Sequence, residues 1–83
     1  MPHLAKARRI ALLQQQVREW EDNQFNAEVA HRVHSRLLAP PNELSVFAER
    51  MIRAEKAIAY LGEEIAKIEA EQEDVDATIT GTL

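Results

Sequence analysis

Residues 44–75, LSVFAERMIRAEKAIAYLGEEIAKIEAEQEDV, carry the strongest pattern in the chain. Apolar side chains recur there in alternating steps of three and four, with one polar exception, Gln72. The series consists of Leu44, Phe47, Met51, Ala54, Ile58, Leu61, Ile65, Ile68, Gln72 and Val75. This spacing is typical of a coiled-coil seam, a narrow apolar stripe that one helix packs against another. We therefore predict a helix of about 33 residues, roughly 50 Å long.

The composition of the 83-residue chain favours helices. Two glycines and three prolines leave few turns for β-hairpins, so we expect an all-α fold. The absence of cysteine excludes disulfides and thiolate metal sites. Because a single core of this size supplies only about 3–5 kcal/mol, we expect the chain to dimerise with itself.

Two consecutive prolines separate two helical segments. Pro40 disfavours a helical conformation at Ala39, and neither proline fits a helix interior. The second helix begins either with Asn42 as its N-cap or with Pro41 as its first residue. The sequence thus predicts an antiparallel, coiled-coil-like helical hairpin that dimerises into a helical bundle. The domain covers 1–76, with a first arm at about 4–38, a turn at 39–42 and a second arm at about 43–76; 77–83 form a flexible tail.

The apolar pattern of the first arm changes phase part way along. One stripe contains Ile10, Leu13, Val17 and Trp20, and a second contains Phe25, Val29, Val33 and Leu37. The second stripe lies well over 90° round the helix axis from the first. Between them, Asp22 to Asn26 contains residue types that favour helix caps over helix interiors. Either the helix breaks there, or one helix serves two partners.

Charge supports the antiparallel arrangement of the two arms. Residues 1–18 contain four basic residues and no acid, whereas 62–83 contain seven acids and one lysine. If the turn centres on the two prolines, the numbers of facing residues sum to about 81. This register places Arg8 and Arg9 against Glu71, Glu73 and Asp74, and Arg18 against Glu63 and Glu64. It also predicts that Trp20 packs over Gly62, a glycine that otherwise costs the helix about 0.5–1 kcal/mol.

Few residue patterns in the chain indicate chemistry. Glu28, His31 and His34 follow the Glu-x-x-His spacing of helical di-metal sites, but the second arm has no histidine to complete one. We therefore interpret them as solvated polar residues and expect no metal and no cofactor. No nucleophile, acid or base has suggestive spacing, so we expect no enzymatic activity and no catalytic residues.

Two kinds of partner remain as hypotheses. The apolar side chains that exceed what one hairpin can bury favour protein–protein contacts; they are Trp20, Phe25, Val29, Val33, Leu37, Val46, Ile52 and Tyr60. The alternative is a nucleic-acid-binding regulator that uses the basic N-terminal end, namely Lys6, Arg8, Arg9 and Arg18. A net charge of −4 and the absence of a recognition-helix signature favour the protein partner.

In size and helical layout the chain resembles the short accessory proteins that phages encode to bind and disable host proteins. This group includes anti-CRISPR proteins and inhibitors of pilus-assembly ATPases or quorum-sensing regulators. The resemblance covers the whole chain as architecture, through 44–75 and the turn at Pro40 and Pro41, and implies an inhibitor that binds another protein. Type III secretion needle subunits have a similar layout, but their turn carries Pro-x-x-Pro where this chain has Pro40, Pro41 and Asn42. No apolar run is long enough for a membrane span or a signal peptide, so we expect a cytoplasmic protein.

Overall fold

The computed structural model describes residues 4–71, which form two long antiparallel helices. Helix α1 spans Lys6–Arg36 and helix α2 spans Pro41–Glu69. The helices pack on each other along their lengths, and no strand occurs in this part of the chain. The predicted all-α helical hairpin is therefore confirmed.

Helix α1 is unbroken, so the first arm is one helix rather than two. Its less exposed side chains include a three-and-four series that runs from end to end: Lys6, Ile10, Leu13, Val17, Trp20, Gln24, Ala27, His31 and His34. The seam thus continues past Trp20 through polar residues. Phe25, Val33 and Leu37 of the second stripe are exposed instead. Of the two alternatives, the structure supports one continuous helix.

The interpretation of His31 and His34 as solvated residues is wrong. Both are half-buried because they occupy seam positions of α1. The ring of His34 lies against that of Phe47 in α2, with centroids 4.8 Å apart and planes inclined at 35°. Only Glu28 of the three is exposed, and its carboxylate lies 3.7 Å from the Arg32 guanidinium one turn on.

Two contacts between the helices have the predicted register. The Arg9 guanidinium pairs with the Glu71 carboxylate at 2.9 Å near the open end, and His34 meets Phe47 near the turn. Arg18 forms no ion pair with either predicted glutamate in the described part of the chain, and Glu64 pairs with Lys67 at 3.3 Å. Glu73 and Asp74 lie outside the described residues.

Just after the C-terminus of α1, a residue other than glycine adopts the left-handed conformation. Leu38 has φ 62°, and its N–H donates to the Ser35 carbonyl at 3.1 Å. The Ala39 N–H donates to the His34 carbonyl at 2.9 Å. These two bonds form a Schellman motif, which usually places glycine at the left-handed position because a side chain is strained there.

Two consecutive prolines form the N-terminus of α2. Pro40 is extended and serves as the N-cap, and Pro41 is the first helical residue, as one of the two alternatives predicted. A missing N–H costs nothing at that position, since the first N–H groups of a helix have no partner within it. The Pro40 carbonyl accepts from the N–H groups of Glu43 at 2.9 Å and Leu44 at 3.2 Å.

Helix α2 ends at Glu69, earlier than the predicted bound of about 76. The Lys6 ammonium donates to the main-chain carbonyl of Glu69 at 3.1 Å and to that of Glu71 at 2.8 Å. A cation at a helix C-terminus satisfies carbonyls that have no partner within the helix. Residues 72–76 and the predicted tail at 77–83 lie outside the described residues.

The hairpin buries very few side chains. Among residues 4–71, the buried apolar residues are Ala27, Ala54 and Leu61. The radius of gyration is 19.4 Å, against about 12 Å for a compact chain of this length. A two-helix body this thin leaves most of each helix in contact with solvent.

The predicted contact between Trp20 and Gly62 is wrong. A Cβ built on Gly62 meets no atom within 4 Å, and the glycine is exposed. The seam of α2 passes through its neighbour Leu61, which is 7% exposed. One residue further along a helix is about 100° round its axis, so the register that brings Trp20 level with Leu61 leaves Gly62 beside the seam.

Gly62→Ala should therefore stabilise the protein by about 0.5–1 kcal/mol, because alanine restricts the unfolded chain and meets open space in the folded one. The free energy of unfolding is measured by urea denaturation followed by circular dichroism. Ala59→Gly, at another exposed position of α2, is the matched control and should destabilise by a similar amount. Destabilisation by Gly62→Ala would mean that a side chain covers the glycine.

Candidate functional site

Small residues beside the seam open a groove along one flank of the hairpin. The register that pairs Arg9 with Glu71 also brings Ala30 level with Arg50. The side chain of Ala30 is too small to fill the space between the two helices beside Arg50. The flank is therefore open in the middle of the hairpin, where larger side chains would otherwise meet.

The resulting cavity, here called the flank groove, has a volume of about 480 Å³. Its lining residues are Trp20, Asn23, Asn26, Ala27, Ala30, Arg50 and Arg53. The half-buried indole of Trp20 forms its apolar wall, and Ala27 and Ala30 contribute further apolar surface. The two asparagines offer amide donors and acceptors, and the two arginines offer only donors and positive charge.

Aromatic contacts hold one arginine beside the groove. The Arg50 guanidinium carbon lies 5.6 Å from the centroid of the Phe47 ring, within the distance at which a cation is attracted by an aromatic face. Phe47 in turn lies against His34. These contacts link Arg50 to the seam, so the position of its charge depends on the packing of the two helices.

Arg50 and Arg53 form no ion pair with a carboxylate among residues 4–71. The neighbours of Arg50 at three and four residues on its helix carry no negative charge. Glu49 is four residues before Arg53 and lies beside both arginines, but it forms no ion pair with either of them. Two guanidinium groups that are unpaired within the described range therefore line the groove of a chain whose net charge is −4.

The residues considered for a metal site or a nucleic-acid site occupy two regions of the hairpin. Among residues 4–71, no group of three histidine, aspartate, glutamate or cysteine side chains could hold a metal ion. At the N-terminal end, Lys6 binds the C-terminal carbonyls of α2 and Arg9 pairs with Glu71. These two cations contact the second arm, as the structural interpretation of the charge pattern predicts.

The residues expected at the seam and at partner interfaces occupy different environments. Of the second-arm seam, Leu61 is buried, and the half-buried members are Leu44, Phe47, Met51, Ile58, Ile65 and Ile68. Of the expected interface residues, Trp20 lines the groove and Val29 is half-buried. The exposed ones are Phe25, Val33, Leu37, Val46, Ile52 and Tyr60.

The sequence interpretation did not identify the flank groove. Arg50 and Arg53 belong to no motif, and the pattern around Asn23 and Asn26 favours a helix break. The available signal is the continuous seam of α1, because it fixes which flanking residues face each other. Ala30 then lies opposite Arg50, where a small side chain leaves the flank unfilled.

Comparison with family models, curated proteins and solved structures finds no match to this chain. Neither helix in the described range, 4–71, is both long enough and apolar enough to cross a membrane. The site is therefore interpreted from its own geometry.

Filling the groove should change the environment of the single tryptophan. Asn23→Leu places a branched side chain in the groove one turn from the indole, so Trp20 emission should shift to shorter wavelength and acrylamide should quench it less. Ala11→Leu, at an exposed position of α1 outside the groove, should leave both properties unchanged. Identical spectra for wild type and Asn23→Leu would mean that the indole does not line an open groove.

Proposed function

We propose that this chain is a non-enzymatic protein-binding module that modulates another protein through the apolar side chains at its turn. Four exposed apolar residues support this role and are called the turn patch: Val33, Leu37, Leu38 and Val46. Leu37 is 71% exposed and Leu38 is 88% exposed. Contiguous exposed apolar surface commonly marks a protein-binding site.

The backbone at Leu38 is the observation that carries the proposal. A left-handed conformation costs a non-glycine residue roughly 1–2 kcal/mol, and the leucine regains little of this by packing because its side chain is almost fully exposed. Glycine is therefore the more stable residue for this turn. A strained, exposed leucine is consistent with selection for binding rather than for stability.

Self-association belongs to the same proposal. Phe25, Ile52 and Tyr60 are exposed along the body of the hairpin, away from the turn, and a second copy would cover such residues in a helical bundle. The turn patch then remains for a different protein. The inhibitory action and the cytoplasmic location predicted from the sequence are part of this proposal.

Leu38→Gly should separate stability from binding. The free energy of unfolding should rise by about 1 kcal/mol, since glycine adopts the left-handed conformation without strain. Capture of a partner from nuclease-treated lysate by the immobilised protein should nevertheless fall. Leu4→Gly is the control, because it removes an exposed leucine at the open end; it should leave capture unchanged. Undiminished capture by Leu38→Gly would contradict a binding role for this residue.

Light scattering should report a particle of twice the 9.4 kDa chain mass at micromolar concentration. Tyr60→Glu should shift the equilibrium toward the monomer, because it places a charge in the proposed interface between copies. Lys56→Glu, which also changes charge on the exposed surface of α2, is the control for a nonspecific effect. A wild-type mass that stays at one chain over all concentrations would exclude the dimer.

A further inference from the structure

We propose that the flank groove binds an acidic amphipathic helix of a partner protein, which lies between α1 and α2 as a third helix. This inference rests on the proposed protein-binding function and names the chemistry of the partner at a second surface, whose Arg50 and Arg53 adjoin Val46 of the turn patch.

The shape of the groove suits a helix. It extends along α1 from Trp20 to Ala30, a rise of about 15 Å or nearly three turns. The α1 residues that line it recur at steps of three and four and are small or medium in size after Trp20, so a third helix can approach closely. Two helices with an open flank lack the second layer that usually covers such a surface.

The charge of the groove specifies the partner further. Arg50 and Arg53 are three residues apart on α2 and have no carboxylate partner among residues 4–71. Carboxylates three or four residues apart on the incoming helix can face both guanidinium groups. They would also relieve the repulsion between the two arginines. Two apolar side chains about ten residues apart on the same helix would contact Trp20 and Ala30, and arginine with tryptophan is a common composition of binding hot spots.

The limited extent of the positive charge favours a peptide over a nucleic acid. Nucleic-acid binding uses several phosphate contacts along a continuous basic surface. Here two arginines line the groove, Glu49 lies beside them on α2 and Glu43 lies beside Arg50 nearer the turn. These carboxylates interrupt the basic surface that a phosphate backbone would need. An acidic helix needs its carboxylates only at the positions that face Arg50 and Arg53.

The test uses Trp20 emission as the readout and two capped 14-residue helical peptides as probes. Both peptides have leucines on one face; one has glutamates on both flanks of that face and the other has glutamines there. The glutamate peptide should shift the emission with a Kd about tenfold lower than the glutamine peptide. Arg50→Gln combined with Arg53→Gln should abolish this difference, and Arg36→Gln, on α1 outside the groove, should retain it.

A second variant tests the proposal if the double arginine variant does not fold. If circular dichroism shows that the double arginine variant has lost helix, Ala30→Leu decides the question, because a filled groove should weaken the glutamate peptide about tenfold or more. This variant keeps both charges, so a loss of binding reports the shape of the groove. Undiminished binding to folded Ala30→Leu would overturn the proposal.

Three other results would also overturn it. Equal affinities for the two peptides would remove the role of the arginines. A single-stranded oligonucleotide that binds as tightly as the glutamate peptide and displaces it would assign the groove to polyanions. A shift of Trp20 emission with protein concentration alone would assign it to a second copy. Capture through the turn patch is measured separately with Leu38→Gly, so the protein-binding function can stand when the groove proposal fails.

Discussion

The packing of two alanines at the middle of the seam controls the rest of this hairpin. Ala27 and Ala54 are level with each other in the observed register, and their side chains are 5% and 0% exposed. Small residues at a seam let two helices approach closely, but they contribute little apolar surface to a core. The middle of the seam therefore adds little burial, and large apolar side chains that lie away from the seam, such as Phe25, stay exposed.

The second arm could be predicted from the sequence because its seam is almost entirely apolar. The first arm was harder, since its seam positions include Gln24, His31 and His34. In this half of the first arm the apolar residues are Phe25 and its stripe, which have the wrong phase on α1 to pack against α2. A polar ring or amide can occupy a seam in so thin a body, because its polar atoms reach solvent at the edge while its apolar atoms pack.

The failure of the Trp20–Gly62 contact has a related cause. The predicted register was correct to within a residue, as the Arg9–Glu71 pair shows. An error of one residue shifts a position by only about 1.5 Å along the helix axis, but it rotates that position by about 100° around the axis. Register alone therefore could not identify which side chains touch. The flank groove could not be predicted from a local pattern, because it lies between side chains of both helices, Ala27 and Ala30 on α1 and Arg50 and Arg53 on α2.

The bond between Lys6 and the end of α2 determines where attachments to this hairpin would point. Lys6 holds the carbonyls of Glu69 and Glu71, so both ends of the described chain emerge together, one helix length of about 45 Å from the turn. A fluorescent label on the side chain of residue 4 or residue 71 would lie at the end of the hairpin opposite the turn. The hairpin would then act as a rigid spacer that presents Leu37 and Leu38 at its far end.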